Sequence, residues 1–220
     1  MRFVLWACLG AVILIVIGLG LWSMGRRAAG VPGSPAPPGS AWPFAGDSAP
    51  DFSLTDATGR TVTRSDLRGK VWIANFIFTR CVTICPVLTR RMSEIRAKLT
   101  VESAGDVLSV SFTVDPSFDT PDVMREYARG FHAESAGWIF LTGDPKAMVR
   151  VVRDGFHLMM NDPGDGPPAH SNRFVLVDAS GRIRSSHTGD EEGVVDTIVK
   201  EALALRREAD NGRQSLGNKS

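Results

Sequence analysis

The apolar positions divide the chain into an apolar head, a proline-rich spacer, a mixed domain and a polar tail. Phe3 to Trp22 carries no charged residue. At about 1.5 Å per residue, a helix of that length covers roughly 30 Å, the hydrocarbon thickness of a bilayer. Trp6 and Trp22 fall towards its two ends, where interfacial aromatics gather. The run is longer than the roughly 7–15 apolar residues of a cleaved signal peptide, and no small-x-small cleavage site follows before Arg26 and Arg27. Residues 3–23 are therefore expected to form one uncleaved transmembrane anchor. In residues 24–49, Pro32, Pro35, Pro37, Pro38 and Pro43 alternate with Gly, Ser and Ala, which suits an extended linker. Residues 50–208 are expected to form the domain, and 209–220 a flexible tail.

Within the domain, strand-like and helix-like patterns alternate. Val71 to Phe78 (VWIANFIF) is a nearly continuous apolar run, suited to a buried central strand. Pro86 opens a helix along which Leu88, Met92, Ile95 and Leu99 recur at helical spacing. Val107 to Val114 reads as a second strand, and Asp119 or Thr120 as the cap of a helix from Pro121 to about His132. Trp138 to Thr142 predicts a short strand and Asp144 to Asp154 a short helix. Arg173 to Asp178 and Arg182 to His187 flank Ala-Ser-Gly, a hairpin signature. Gly189-Asp190 then starts a last helix, burying Val194, Val195, Ile198, Val199, Ala202 and Leu203. The order predicts an α/β domain with a central mixed sheet, on a thioredoxin-like plan.

Composition narrows the function. With 43% hydrophobic and 22% charged residues, disorder throughout is excluded. Lys and Arg total 25 against 24 Asp and Glu, a net charge of +1, so no nucleic-acid partner is expected. Three cysteines, Cys8 within the apolar head and Cys81 and Cys85 in the domain, exclude a multi-disulfide scaffold and a four-cysteine zinc site. Around the anchor, Arg26 and Arg27 outweigh Arg2, a count that slightly favours a cytoplasmic domain.

The chemistry sits at Cys81-Val-Thr-Ile-Cys85-Pro86, between the central strand and its helix. A helix N-terminus and the neighbouring Arg80 both lower a thiol pKa, and a thiolate is at once nucleophile and metal ligand. Three intervening residues let both sulfurs meet in one turn, to form a disulfide or to share a metal ion. Soft thiolates select Cu(I), which accepts three ligands, so one more donor is sought. His132 ends a helix, His157 follows Gly155-Phe156, His187 ends the hairpin, and His170 lies in a loop entering the strand from Arg173. His170 is best placed to reach another strand's end, although loop histidines are often merely solvated. Met159 and Met160 are soft donors too, but adjacent methionines at a strand edge more often pack.

These residues resemble the Sco/SenC family of membrane-anchored copper proteins. Phe76-Ile77-Phe78-Thr79 leading to Cys81-x-x-x-Cys85-Pro86 is similar to the family's C-x-x-x-C-P core. Asp115-Pro116-Ser117-Phe118-Asp119-Thr120-Pro121 matches its D-P-x-x-D-T-P stretch, and His170-Ser171 before a strand ending at Asp178 matches its histidine segment. Asp51-Phe52-Ser53-Leu54 and Leu67-Arg68-Gly69-Lys70 resemble its entry, and the long proline-rich linker and His187 depart from many members. The resemblance implies a thioredoxin-like domain on the extracytoplasmic, periplasmic side of the membrane. It implies copper bound by Cys81, Cys85 and His170. It implies delivery to the CuA subunit of cytochrome c oxidase or exchange with another copper chaperone. Asp115 is expected either to support the site from behind the ligands or to shape a turn.

Other readings use the same residues. A thiol-disulfide oxidoreductase would employ Cys81 and Cys85 as a redox-active pair, without need of His170, though Cys-x-x-Cys is its commoner spacing. A peroxidase-like enzyme would need a peroxide-activating site around Cys81, for which no motif is found. A purely structural membrane protein would not need the cysteine pair.

Overall fold

The computed structural model describes residues 42–133, 137–162, 164–166, 168–169 and 171–217. Its strands are β1 (Ser53–Asp56), β2 (Thr61–Thr63), β3 (Trp72–Ile77), β4 (Leu108–Thr113), β5 (Trp138–Thr142), β6 (Arg173–Val177) and β7 (Ile183–Thr188). Its helices are α1 (Ile84–Val101), α2 (Pro121–Gly130), α3 (Pro145–Val149) and α4 (Val194–Gly217). The expected transmembrane segment lies outside the described residues. Among the described residues no helix is long and apolar enough to cross a membrane.

All seven strands join one sheet in the order β2-β1-β5-β4-β3-β6-β7. β3 runs parallel to β4, and β4 to β5, while β6 and β7 return antiparallel. The sheet is mixed, as the pattern predicted. β3 lies inside it with all six residues buried, which explains an unbroken apolar run rather than an alternating one. Its one polar residue, Asn75, is fully buried and accepts from the Ser111 hydroxyl at 2.7 Å. Ser111 in turn accepts from the Trp138 indole at 2.9 Å, so a polar chain crosses three strands.

Trp72 and Phe76 lie four residues apart on β3 and so share a face. There Phe76 stacks on Phe112 at 5.7 Å and meets Phe156 edge-on at 5.2 Å. On α1, Leu88, Met92, Ile95 and Leu99 are at most 1% exposed. Burial of each such side chain contributes about 1.5–3 kcal/mol. The helix packs against α4, whose six expected apolar residues all lie in or against the core.

The structure departs from the pattern in several places. A hairpin, β1–β2, precedes the central strand. Its strands are too short to show a period, and its turn is made by Asp56, whose carboxylate accepts from the Thr58 N–H at 2.8 Å and the Arg60 N–H at 3.0 Å. Residues 46–49, expected as linker, run beside the start of β7: Gly46 donates to the Ile183 carbonyl and Ile183 to the Asp47 carbonyl, both at 2.8 Å. The short helix after Asp144 stops at Val149 and continues as a widened π turn, Arg150–Gly155, with Gly155 tight against Pro50. The last helix begins at Val194 and runs to Gly217, past the expected start of the tail. Arg206 pairs with Asp106 at 2.7 Å just before that extension, and within it Arg213 donates to the Gly69 carbonyl at 3.2 Å.

Gly189, after β7, seats the approach to α4 on α1. Arg91 donates to its carbonyl, and a methyl on its Cα would run into fully buried Leu88 and the Asn172 side chain. Gly189→Ala is expected to lower the urea midpoint, a loss of about 1–3 kcal/mol. Gly105→Ala, where space is open, should leave the midpoint nearly unchanged.

Candidate dithiol and metal site

β3 delivers the chain to the end of the sheet, where a turn closes with the Cys81 N–H donating to the Phe78 carbonyl at 3.1 Å. Thr83 is the N-cap of α1, which places Cys85 in the first turn. The first N–H groups of a helix have no partner within it. Here the N–H of Cys85 points at the Cys81 sulfur, 3.4 Å away, and the Thr83 hydroxyl lies 3.6 Å from the same sulfur. Pro86 in that turn has no N–H to satisfy. The two cysteines are not joined in a disulfide, and both are buried, at 5% and 2% exposure.

The two sulfurs are not equivalent. Burial pushes the Cys81 thiol up, but hydrogen bonds from the Cys85 N–H, the Cys85 thiol, and the Thr83 N–H and hydroxyl together bring it below a thiol's ordinary value. Burial pushes the Cys85 thiol up to about 12; the Phe78 N–H opposes this, while donation to Cys81 and the charges of Cys81 and Asp119 add to it. Cys81 is thus the more acidic of the two thiols, and Cys85 is one of its donors. Arg80, expected to supply the cation, does something else. Its guanidinium binds the Asp115 carboxylate at 3.1 and 2.5 Å and lies over the Phe118 ring at 4.4 Å. The lowered pKa of Cys81 therefore comes from hydrogen bonding in the first turn of α1. The Asp115 carbonyl also accepts from the N–H groups of Phe118 and Asp119, so this residue shapes a turn as well as holding Arg80.

Asp119 was legible as a candidate helix cap and as part of the D-P-x-x-D-T-P stretch. Thr120 caps α2 instead, accepting from the Val123 N–H at 3.4 Å, and Asp119 turns inward to complete burial. Its carboxylate accepts from the Thr79 hydroxyl at 2.5 Å, the Thr79 N–H at 3.2 Å, and the Thr113 hydroxyl. Burial raises its pKa, the bonds from Thr113 and Thr79 work the other way, and the Asp115 charge raises it again; the net shift is upward. Behind Cys85, the Thr89 hydroxyl donates to the Cys85 carbonyl at 2.9 Å and bonds the Tyr127 hydroxyl at 2.8 Å, tying α1 to α2. Neither Tyr127 nor Thr89 carried a signal in the sequence.

His170 lies outside the described residues. Its strand is informative all the same: β6 is antiparallel to β3, with Phe174 beside Asn75, so β6 starts at the sheet end from which β3 leaves for Cys81. Of the other histidines, His132 is exposed beyond α2, and His157 is exposed with its ring stacked on Phe44 at 3.8 Å. His187, read from the sequence only as the end of the hairpin, is buried at 7% exposure with Nε2 2.8 Å from the Glu201 carboxylate. Met160 packs as expected, whereas Met159 is 73% exposed. Beside the dithiol opens a cleft of about 500 Å³, bordered by Phe78, Arg80, Asp115, Ser117, Met160 and Pro168. Among the described residues no group of three His, Cys, Asp or Glu side chains could hold a metal ion; the soft donors they offer at the junction are the two thiols.

A mixed sheet whose central strand runs into a helix with two cysteines at its N-terminus defines a thioredoxin-fold dithiol protein. A family model described as SCO1/SenC matches residues 42–203, and the chain belongs to the SCO1/SenC family. It is 32% identical over 152 residues to the SCO1 protein homolog of Bacillus subtilis, a match covering 68% of this chain and 78% of that one. Matches to SCO2-like proteins of Rickettsia, among them that of Rickettsia felis, span 65% of those proteins. BsSco, described as a member of the Sco family of cytochrome c oxidase assembly proteins with a disulfide switch, superposes with a TM-score of 0.66 at 30% identity, over 74% of this chain and 95% of that one. Arabidopsis thaliana ScoI with copper bound superposes with a TM-score of 0.62 at 28% identity, over 71% and 98%.

Two expectations follow. Brief alkylation with iodoacetamide near neutral pH, read by peptide mass spectrometry, should label Cys81 roughly tenfold faster than Cys85, since the thiolate is the reactive form; equal rates would contradict the asymmetry. Asp119→Ala leaves the Thr79 and Thr113 donors buried without their acceptor. It should cost about 3 kcal/mol in urea denaturation.

Proposed function

We propose that this protein is a membrane-anchored copper metallochaperone. On this reading it takes copper as cargo on Cys81, Cys85 and His170 and delivers it to the CuA site of cytochrome c oxidase, either directly or by exchange with another copper chaperone. The carrying observation is the pair of buried thiols in contact across the first turn of α1. Two thiolates form a soft donor set that suits Cu(I), and a nitrogen donor completes a trigonal site. The start of β6 beside the end of β3 supports His170 as that donor. The copper-bound Arabidopsis relative and the oxidase-assembly role given for BsSco support the cargo and its destination. The apolar run Phe3 to Trp22 supports a single-pass anchor in the cell membrane, followed by a spacer and a copper-binding domain on the extracytoplasmic side.

The unequal thiols favour a second reading, a thiol-disulfide reductase acting on the target's copper-ligand cysteines. The Cys81 thiolate attacks a target disulfide, and one target sulfur leaves as a thiol. Cys85 then resolves the mixed disulfide, so the target is reduced and the Cys81–Cys85 disulfide forms. The disulfide switch described for BsSco supports such chemistry.

Cu(I) titration of the full chain in detergent, with X-ray absorption at the copper edge, separates the two. The reduced protein should bind one copper more than the oxidised protein, and adding a reductant to the oxidised protein should restore the difference. Cys81→Ser or Cys85→Ser should nearly abolish binding, and His170→Ala should weaken it and change the spectrum. Equal uptake by the reduced and the oxidised protein would sink the thiolate site. A His170→Ala protein that reduces a target disulfide at the unaltered rate, with wild-type copper binding, would favour the reductase.

A further inference from the structure

His157 and Met159 belong neither to the core nor to the dithiol. From Phe156 to Met160 burial alternates: Phe156, Leu158 and Met160 are buried at 0%, 7% and 6% exposure, while His157 and Met159 face solvent. His157 and Met159 are thus the two residues of this stretch left on the outside. His157 and Met159 both line one cleft of about 430 Å³.

The imidazole is held for use. His157 has a left-handed backbone, φ +55°, uncommon outside glycine. Its ring stacks on Phe44 with centroids 3.8 Å apart and planes 26° apart. Stacking occupies the ring's face, whereas a metal is bound in the ring plane through nitrogen, so the contact fixes the imidazole without consuming its donor. Arg153 lines the same cleft, but its guanidinium sits between the carboxylates of Asp154 at 3.1 Å and Asp162 at 3.0 Å. Two carboxylates against one guanidinium leave the neighbourhood hospitable to a cation.

A thioether ligates soft ions and ignores hard ones, and imidazole tolerates soft ions well. We propose that His157 and Met159 form a second, solvent-exposed site for a soft monovalent metal ion, Cu(I), distinct from the dithiol. Met160 lies on the wall of this cleft and also of the cleft bordered by Phe78 and Arg80, the neighbours of Cys81, so an ion held here lies one side chain from the dithiol's cleft. Passage to the dithiol is ligand exchange at constant oxidation state. Bonds to the thioether and imidazole break as bonds to the thiolates form, and thiol protons go to solvent. The biological sense of the site rests on copper being the cargo; its existence does not.

The test uses the full chain in detergent micelles with Cys8→Ser, Cys81→Ser and Cys85→Ser, so that no thiol competes. Methionine methyl groups are labelled with carbon-13, the Met159 signal is assigned by its loss in Met159→Leu, and silver nitrate supplies Ag(I) as a redox-inert probe. The Met159 methyl signal should shift saturably, and His157→Ala should weaken the effect at least roughly tenfold, as loss of one of two ligands requires. A Met159 signal unmoved by Ag(I), or a titration unaltered by His157→Ala, overturns the site. A shifting Met159 signal in a protein whose dithiol takes up no copper upholds this site and removes the dithiol reading. The reverse pattern does the opposite.

Discussion

The N–H of Cys85 aimed at the Cys81 sulfur is the interaction on which the site depends. A helix that starts directly from a buried strand must satisfy its first N–H groups without much help from water. At the end of β3 the chain does this with sulfur as one of the acceptors. The same bond that helps close the first turn of α1 lowers the Cys81 pKa, and it requires Cys85 to sit within reach. Helix start, thiol activation and the spacing of the two cysteines are one arrangement. Arg80 is not needed for it, and its pairing with Asp115 leaves it to wall the neighbouring cleft.

Asp119 performs the corresponding task on the strand side. A fully buried carboxylate is tolerated only where donors converge on it. Those donors come from Thr79 in the turn after β3 and Thr113 at the end of β4. The Thr142 hydroxyl, at the end of β5, donates to the Asp119 carbonyl at 2.5 Å. The ends of three adjacent parallel strands are thus tied at one residue, beneath the turn that carries Cys81. Rigidity there matters because two sulfurs must keep a fixed separation if they are to share an ion or form a bond without rebuilding the sheet.

Much of this was legible along the chain. β3 showed as an unbroken apolar run because it is covered on both faces. α1 showed as Leu88, Met92, Ile95 and Leu99 because only one stripe of it is buried. The β1–β2 hairpin did not show, since strands of four and three residues give no period, and its turn depends on the Asp56 side chain. The length of α4 was hidden because its last turns are polar and gain a partner from Gly69, far away in sequence. Asp119 and Thr120 both read as caps, and nothing local distinguishes a carboxylate that caps from one that turns inward to meet Thr79. His187 read only as the end of the hairpin because Glu201, its partner, lies on another element.

The cysteines differ in what holds them, and that difference orders events at the site in either functional reading. Cys85 is part of α1: its carbonyl receives Thr89, its sulfur is buried, and its proton is held tightly. Cys81 lies in the turn before the helix, next to Val82, which is 89% exposed. An incoming soft ion or a target disulfide meets the better nucleophile on the more accessible side. Only after Cys81 has bonded does Cys85 have reason to release its proton, because the new bond draws electron density from the sulfur that has been accepting from it. Under either proposed function, capture is then a two-step event, with the helix-borne thiol second. With burial pushing the Cys85 thiol up to about 12, the free protein does not present both sulfurs as anions at neutral pH.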